Sequence, residues 1–178
     1  MIYGNAEMDK YIISIPDFPV PGIIFRDVTS VLRDPEGFKL AIDEMQKFTE
    51  GVEYDAIVGL ESRGFLFGSP IAYNCGKAFI PVRKKGKLPR EVVRKKYALE
   101  YGEAEIEVHK DDIKPGMKVI LLDDLIATGG TLAAAAELVE SLGAEVVKII
   151  TLLELKGLKG RELLSKYDLD AVISYDGK

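Results

Sequence analysis

The chain has 178 residues, of which 47% are hydrophobic and 30% are charged, a balance that is typical of a globular domain and not of a disordered or fibrous chain. Its 24 Lys and Arg against 29 Asp and Glu give a net charge of −5, which argues against bulk binding of nucleic acid. One cysteine, Cys75, and one histidine, His109, exclude an internal disulfide framework and a Cys/His metal cage.

Short apolar segments alternate with amphipathic ones along the chain. Phe38 to Phe48 repeats apolar residues at helical spacing, and so does Leu132 to Leu142, which Gly143 follows at the position of a C-terminal cap. Pro70 interrupts a further helical pattern, so that helix either begins late or is kinked. Buried strands are predicted at residues 55–60, 78–82, 118–122, 146–155 and 171–175. The alternation predicts an α/β fold with a mostly parallel central sheet flanked by helices, formed by one domain over residues 1–178.

One segment, residues 83–109, departs from this alternation. It is rich in charge, and Tyr97, Leu99 and Tyr101 alternate along it. These features predict an extended, partly exposed hairpin, called the flap below, inserted between two strands of the sheet. His109, at its end, is flanked by charges and is expected to be exposed to solvent and not catalytic.

The most informative stretch is VILLDDLIATGGT, residues 119–131. Asp123 and Asp124 end an apolar strand, and Thr128-Gly129-Gly130-Thr131 opens a helix. Glycines let backbone N–H groups approach an anion, and a helix N-terminus favours negative charge, so this loop is expected to bind phosphate. The four residues alone could equally be a turn with a helix cap, but two adjacent carboxylates at a strand end need polar partners, such as ribose hydroxyls.

This pattern resembles the phosphoribosyl pyrophosphate signature of type I phosphoribosyltransferases. Further segments are similar to the adenine phosphoribosyltransferase family, and they occur in the family's order from about residue 15 to 164: FPVPGIIFRDV (18–28), GLESRGFLFG (59–68), PVRKKGKLP (81–89), YALEYGEAEIE (97–107) and LELKGLKGRELL (153–164). The resemblance implies the type I fold, with a small N-terminal hood at about residues 1–34 that recognises the base.

The implied reaction displaces pyrophosphate from C1′ of the donor, phosphoribosyl pyrophosphate, by N9 of adenine. Asp123 and Asp124 would hold the ribose hydroxyls and stabilise a cationic sugar in the transition state. Ala127, Thr128, Gly129, Gly130 and Thr131 would bind the 5-phosphate. Mg²⁺ is the expected cofactor, carried mainly by donor oxygens with no direct protein ligand.

Pyrophosphate requires cations. Arg63 follows a predicted strand, and its guanidinium can hold phosphate through two hydrogen bonds, with the backbone of Ser62 beside it. The resemblance adds Arg83, Lys84 and Lys87, which could also reach across a dimer interface. The plainer alternatives are a loop arginine at the surface and a solvated run of charge.

In the flap, the resemblance assigns Glu100 and Tyr101 to catalysis, with Glu100 exchanging a proton with a purine ring nitrogen. Without the family context, an exposed strand carboxylate would be the simpler interpretation.

Adenine is expected to lie between Phe25 and Leu125, while the backbone of Ile24 and Arg26 hydrogen-bonds its amino edge. An acceptor at that edge would reject the oxo group of guanine and hypoxanthine. Phe25 could instead be an ordinary core residue. Arg161 and Glu162 are expected to serve packing or a dimer and receive no catalytic role.

The expected ligands are phosphoribosyl pyrophosphate, adenine and AMP, in a homodimer that binds neither nucleic acid nor membrane. No apolar run approaches the roughly 20 residues of a transmembrane helix, and Met1 to Lys10 lacks the layout of a signal peptide, so a cytoplasmic location is expected. The alternatives are a donor-binding transcriptional regulator without catalysis and a phosphoribosyltransferase for another purine.

Overall fold

Five parallel strands form the centre of an eight-stranded sheet in the computed structural model, which describes residues 1–98 and 102–177. The central order is β10-β9-β8-β4-β5, with β1 antiparallel to β10 at one edge and the antiparallel strands β7 and β6 beyond β5 at the other. The strands of this sheet are β1 (Ile2–Gly4), β4 (Ala56–Leu60), β5 (Ala78–Lys84), β6 (Val92–Ala98), β7 (Glu103–His109), β8 (Lys118–Ile126), β9 (Glu145–Leu155) and β10 (Leu169–Tyr175). All five predicted strands are therefore present, most of them longer than expected.

Helices cover both faces of the sheet. They are α1 (Pro35–Lys47), α2 (Arg63–Asn74), α3 (Gly130–Ser141) and the short α4 (Gly160–Leu163). One apolar core lies between the sheet and α3, and a second lies between the sheet and the pair α1 and α2. Since β4 is buried on both faces along its whole length, its continuous apolar sequence is the expected one for a central parallel strand.

Local sequence explains where the helices begin and end. Asp34 caps α1 by accepting hydrogen bonds from the backbone N–H groups of Glu36 (2.9 Å) and Gly37 (3.0 Å), and Pro35 occupies the first turn, where its missing N–H costs nothing. Gly143 has φ +87° after α3, the left-handed conformation of a C-terminal cap. Of the two alternatives for the proline-containing helix, a late start is wrong, because α2 begins at Arg63 and includes Pro70.

The predicted hairpin at residues 83–109 is formed by β6 and β7, and β7 pairs with β5 at Arg83–Glu107 and Lys84–Ile106. This pairing buries the end of β7, so the expectation of an exposed His109 is wrong: the residue is 6% exposed. Its Nδ1 lies 2.9 Å from Arg90 Nη2 and 3.2 Å from Asp112 Oδ2. The flanking charges are the polar partners that allow the ring to be buried.

A second, two-stranded sheet precedes α1, formed by β2 (Ile13–Pro16) and β3 (Ile24–Asp27) in the region predicted as the hood. The Ser30 hydroxyl ties it to the next turn, since it accepts a hydrogen bond from Ile13 N (2.9 Å). Arg26 lies over the ring of Tyr175, 4.1 Å from its centroid, which joins β3 to the end of β10. No helix in the described ranges is long and apolar enough to cross a membrane.

Candidate active site

A cleft of about 430 Å³ opens at the carboxyl ends of β4 and β8, where ligands of open α/β sheets bind. It is lined by Glu61, Ser62, Arg63, Lys84, Tyr97 and the continuous segment from Asp123 to Leu132. The segment includes the end of β8, the loop of residues 127–129 and the start of α3.

The loop between β8 and α3 combines one crowded glycine with one open glycine. Gly129 has φ +82°, and a Cβ there would lie 2.8 Å from the carbonyl oxygen of Gly160, so conformation and space both require glycine. At Gly130, by contrast, φ is not left-handed and a Cβ would come no closer than 3.8 Å to another described residue, the Thr128 hydroxyl. The described residues leave free the space over the first residue of α3, where a helix has N–H groups without intrahelical partners.

Asp123 and Asp124 lie within β8, which continues to Ile126, and not at its end as predicted. Asp124 is 3% exposed, and its backbone N–H donates to Asp123 Oδ1 at 2.8 Å. Burial, followed by the charge of Asp124, raises the pKa of Asp123 well above its usual range. The Oδ2 atom of Asp124 lies 2.5 Å from Arg63 Nε but in an orientation that makes no hydrogen bond. Among the described residues, the cleft therefore holds one buried carboxylate oxygen, Asp124 Oδ2, that accepts no hydrogen bond.

The loop that follows β4 brings Arg63 to this pair. A Cβ on Gly64 would lie 2.9 Å from the carbonyl oxygen of Leu122, so glycine allows α2 to begin directly against β8. Glu61 anchors the same loop to β5, because its two oxygens each lie 3.1 Å from Arg83, at Nε and Nη2, and one accepts from Lys84 N at 2.9 Å. The Arg83 side chain is the main reason that the pKa of Glu61 is lowered.

The structure brings together many, but not all, of the residues predicted for the site. The seven residues assigned to ribose and 5-phosphate line the cleft, as do Ser62, Arg63, Lys84 and Leu125. Arg83 and Lys87 do not; Arg83 is held by Glu61, and the backbone N–H of Lys87 donates to Glu107 Oε1 at 3.0 Å.

The residues predicted for adenine other than Leu125 belong to β3 and are not among those that line the cleft. Ile24 is exposed, Phe25 packs edge-on against Phe18 with 5.3 Å between ring centroids, and Arg26 donates to the Ser14 hydroxyl. Glu100 and Tyr101 lie outside the described residues.

Four residues that line the cleft were not predicted for the site from the sequence: Glu61, Tyr97, Ile126 and Leu132. Glu61 precedes the Ser-Arg pair and acts through Arg83, a partner 22 residues away. Tyr97 accepts a hydrogen bond from the Thr131 hydroxyl at 3.3 Å, which joins the flap to the start of α3. The alternation of Tyr97 with Leu99 and Tyr101 indicated a strand, but which face meets α3 depends on the pairing with β7.

Comparison with known proteins identifies the family of the chain. The model of the phosphoribosyl transferase domain family matches residues 27–175. An adenine phosphoribosyltransferase of Agathobacter rectalis is 67% identical over 168 residues, which cover 94% of this chain and 97% of the relative. The chain belongs to the adenine phosphoribosyltransferase family.

Solved structures of adenine phosphoribosyltransferases share the fold of the chain. The crystal structure from Thermoanaerobacter pseudethanolicus has a TM-score of 0.90 and 49% identity, over 95% of this chain and 98% of that one. The structure from Saccharomyces cerevisiae, in complex with adenine and an imino-altritol bisphosphate, has a TM-score of 0.87 and 42% identity, over 93% and 96% of the two chains. The predicted family and type I phosphoribosyltransferase fold are confirmed.

Proposed function

We propose that this protein transfers the 5-phosphoribosyl group of phosphoribosyl pyrophosphate to N9 of adenine, giving AMP and pyrophosphate in purine salvage. The observation that carries the proposal is that open space over a helix N-terminus and a pair of carboxylates, one of whose oxygens has no hydrogen bond among the described residues, lie side by side in one cleft. A phosphorylated sugar has the complementary groups, a phosphate and vicinal hydroxyls, on one small molecule.

The 5-phosphate would occupy the space over Gly130. The N–H groups at the start of α3 and the hydroxyls of Thr128 and Thr131 can donate to its oxygens, and the helix dipole favours its charge. Gly129 supports this arrangement by turning the chain in a conformation that other residues rarely adopt.

The ribose hydroxyls would donate to Asp123 and Asp124. Binding would give Asp124 Oδ2 the hydrogen bond that it lacks and would place the carboxylates beside the sugar. As the bond to pyrophosphate breaks, positive charge develops on the sugar ring, and preorganised negative groups nearby lower the barrier.

Pyrophosphate would be bound by Ser62, Arg63 and Lys84, with Arg83 and Lys87 supporting from the adjoining loop. Arg63 lies against Asp124, and we propose that it moves to the pyrophosphate when the ribose takes up that carboxylate.

The cleft suits Mg²⁺ bound to the substrate, because the hard oxygen atoms of Asp123 and Asp124 lie beside the proposed ribose site and the ligands of the ion would be oxygens of the donor and water. The two carboxylates would hold the ion indirectly, through the ribose oxygens. When bound, the ion would neutralise charge on the leaving pyrophosphate. The described residues contain no group of three or more His, Cys, Asp and Glu side chains that could hold a metal ion by themselves.

For the base, we propose the Ile24–Arg26 backbone as the adenine-recognising edge, with Phe25 and Leu125 as apolar walls. The Arg26 side chain is already engaged by Tyr175 and Ser14, which leaves the backbone as the group available to the base. The roles of Glu100 and Tyr101 in proton transfer, the homodimer and the cytoplasmic location stay predictions from the resemblance and the sequence.

The test is to incubate the protein with phosphoribosyl pyrophosphate, Mg²⁺ and each purine base in turn, and to measure nucleotide and pyrophosphate. We expect AMP from adenine alone. Turnover of hypoxanthine or guanine instead would refute the base assignment and keep the phosphate site. Donor binding without turnover of any base would favour the regulatory alternative.

A Gly130→Ala variant tests the anion site directly. Its Cβ has room in the protein, so thermal stability should match the wild type, while affinity for ribose 5-phosphate should fall by about tenfold, or ~1.4 kcal/mol, because the methyl group takes the space of the anion. Ser141→Ala, at the other end of α3, is the matched control and should bind as the wild type does. Unchanged affinity in Gly130→Ala would place the phosphate elsewhere.

A further inference from the structure

The loop of residues 127–129 is in close contact with Gly160. A Cβ on Gly160 would lie 2.4 Å from the carbonyl oxygen of Ala127 and 3.0 Å from Gly129 N, and a Cβ on Gly129 would lie 2.8 Å from Gly160 O. Two glycines 31 residues apart in sequence thus bring two backbone segments together without intervening side chains. Movement of Gly160 toward or away from the loop would change the shape of the phosphate site.

Gly160 is held by the residue that follows it. Arg161 makes two hydrogen bonds to Glu154, from Nε at 3.0 Å and from Nη2 at 2.9 Å, and a third from Nη1 to the carbonyl oxygen of Leu169 at 2.7 Å. The guanidinium therefore connects the first turn of α4 to β9 and β10 at once. Its planar set of donors suits this task, and a lysine could not reproduce it.

Glu154 is a rigid anchor for that arginine. It is 4% exposed on β9, and its Oε2 also accepts from the Ser174 hydroxyl on β10 at 3.1 Å. In the sheet it is paired with Ile126, the last residue of β8 before the loop. The anchor and the start of the loop therefore belong to adjacent strands of the same sheet.

We propose that Arg161, fixed by Glu154, is a positioning residue that holds Gly160 against the 127–129 loop and thereby sets the geometry of the site for the 5-phosphate of the donor. The inference rests on the proposed function for the identity of the phosphate. Arg161 touches no reacting atom, and its effect passes through the backbone of Gly160. Arg161 therefore affects ground-state binding of the phosphate more than the chemical step.

The experiment is titration calorimetry with ribose 5-phosphate on the full chain, followed by steady-state kinetics. In Arg161→Ala we expect affinity for ribose 5-phosphate to fall by about tenfold and the KM for the donor to rise in parallel, since small displacements of a positioning group have effects of this size. The KM for adenine should stay within about twofold of the wild type, because the base lies at the other end of the substrate pair. Gly160→Ala, which leaves the arginine intact but pushes on Ala127, should lower ribose 5-phosphate affinity at least as much.

Lys148→Ala is the matched control. Lys148 is 8% exposed in the amino-terminal half of β9, where it lies 2.6 Å from Asp168 and 2.7 Å from Asp170, so its loss also breaks the ion pairs of a buried cation with two exposed acids at the start of β10. It should lower the unfolding temperature and leave ribose 5-phosphate affinity unchanged.

A lower unfolding temperature in Arg161→Ala with wild-type ribose 5-phosphate affinity would overturn the inference and leave Arg161 a structural residue. If that variant does not fold, Arg161→Lys decides: it should bind ribose 5-phosphate more weakly than the wild type, and wild-type affinity would again overturn the inference. The two proposals can fail separately. If the protein makes no AMP but the Arg161 and Gly160 variants still bind ribose 5-phosphate more weakly than the wild type, the proposed reaction fails and the inference about Arg161 stands.

Discussion

The cleft and the base of the flap each contain a buried acid, Asp124 and Glu107, but the environments of these two acids are opposite. At the base of the flap, Glu107 is fully buried, accepts backbone N–H bonds from Lys87 at 3.0 Å and Leu88 at 2.9 Å, and pairs with Arg94 Nε at 2.9 Å. In the cleft, Asp123 and Asp124 have each other, one arginine and an oxygen without a hydrogen bond.

The pKa values follow these environments. Burial alone would raise the pKa of Glu107, but the Leu88 N–H, Arg94 and the Gly86 N–H lower it to about 2. For Asp123, burial and the neighbouring Asp124 charge raise the pKa, and Arg63 offsets this only in part. A buried carboxylate whose donors come from the protein serves structure, whereas one that lacks donors is available to a ligand.

The largest expected effect comes from removing Glu107, the acid whose oxygens accept hydrogen bonds from the protein. Glu107→Ala leaves two backbone N–H groups and Arg94 without their acceptor, and it should lower the free energy of unfolding by about 3 kcal/mol. Urea unfolding at neutral pH measures this. A loss as small as that of a surface substitution would show that water replaces the carboxylate and that its burial is not structural.

Acid unfolding gives a second test at the same residue. Since the pKa of Glu107 falls from its usual 4.5 to about 2 on folding, its contribution is present above pH 4.5 and is lost as the pH decreases from 4.5 to 2. Glu107→Gln, which keeps the shape, should show a weaker dependence of stability on pH in that window than the wild type. If the free energy of unfolding depended on pH equally in Glu107→Gln and the wild type between pH 2 and 4.5, the lowered pKa would not belong to Glu107.

Removing Asp123, the acid whose pKa is raised, should change the free energy of unfolding in the opposite direction. The pKa of Asp123 is raised on folding, so its ionisation costs stability as the pH increases above its usual pKa of 3.8. Asp123→Asn should therefore stabilise the free protein by about 1 kcal/mol at neutral pH, a gain that disappears in acid, while it weakens donor binding. Destabilisation at neutral pH would mean that Asp123 is a structural acid like Glu107.

Removing an exposed acid of the flap should neither lower nor raise the free energy of unfolding. Glu91 pairs with Lys110 at 2.9 Å, but both side chains are more than half exposed. Exposed ion pairs are screened by solvent, so Glu91→Ala should leave the urea midpoint and the turnover of adenine as in the wild type. A clear shift in the midpoint would show that charge on the flap, and not burial, accounts for the role of Glu107.

The sequence was sufficient to predict the central sheet, because buried parallel strands are continuous apolar runs and the helices between them have clear periodicity. The place of this loop in the cleft was equally predictable, because Asp123 to Thr131 are contiguous and each predicted residue type has a local chemical reason, while its binding of phosphate stays a prediction. The eight positions predicted there, all but Ile126, needed no knowledge of tertiary structure.

Residues that depend on distant partners were harder to predict. Glu61 meets Arg83, Arg161 meets Glu154, and His109 is buried beside Arg90 and Asp112. A charged residue in a charged segment has the same local pattern whether it is solvated or buried with partners. Pairing between strands, which single-sequence periodicity does not specify, decides between these outcomes.

The contact between Tyr97 and Thr131 also has a spectroscopic consequence. The chain contains no tryptophan and eight tyrosines, so its ultraviolet emission comes from phenol rings, one of which lines the cleft and is hydrogen-bonded to the first turn of α3. A ligand that takes the Thr131 hydroxyl as a donor would change the surroundings of that ring. Occupancy of the cleft can thus be followed by intrinsic fluorescence in unlabelled protein.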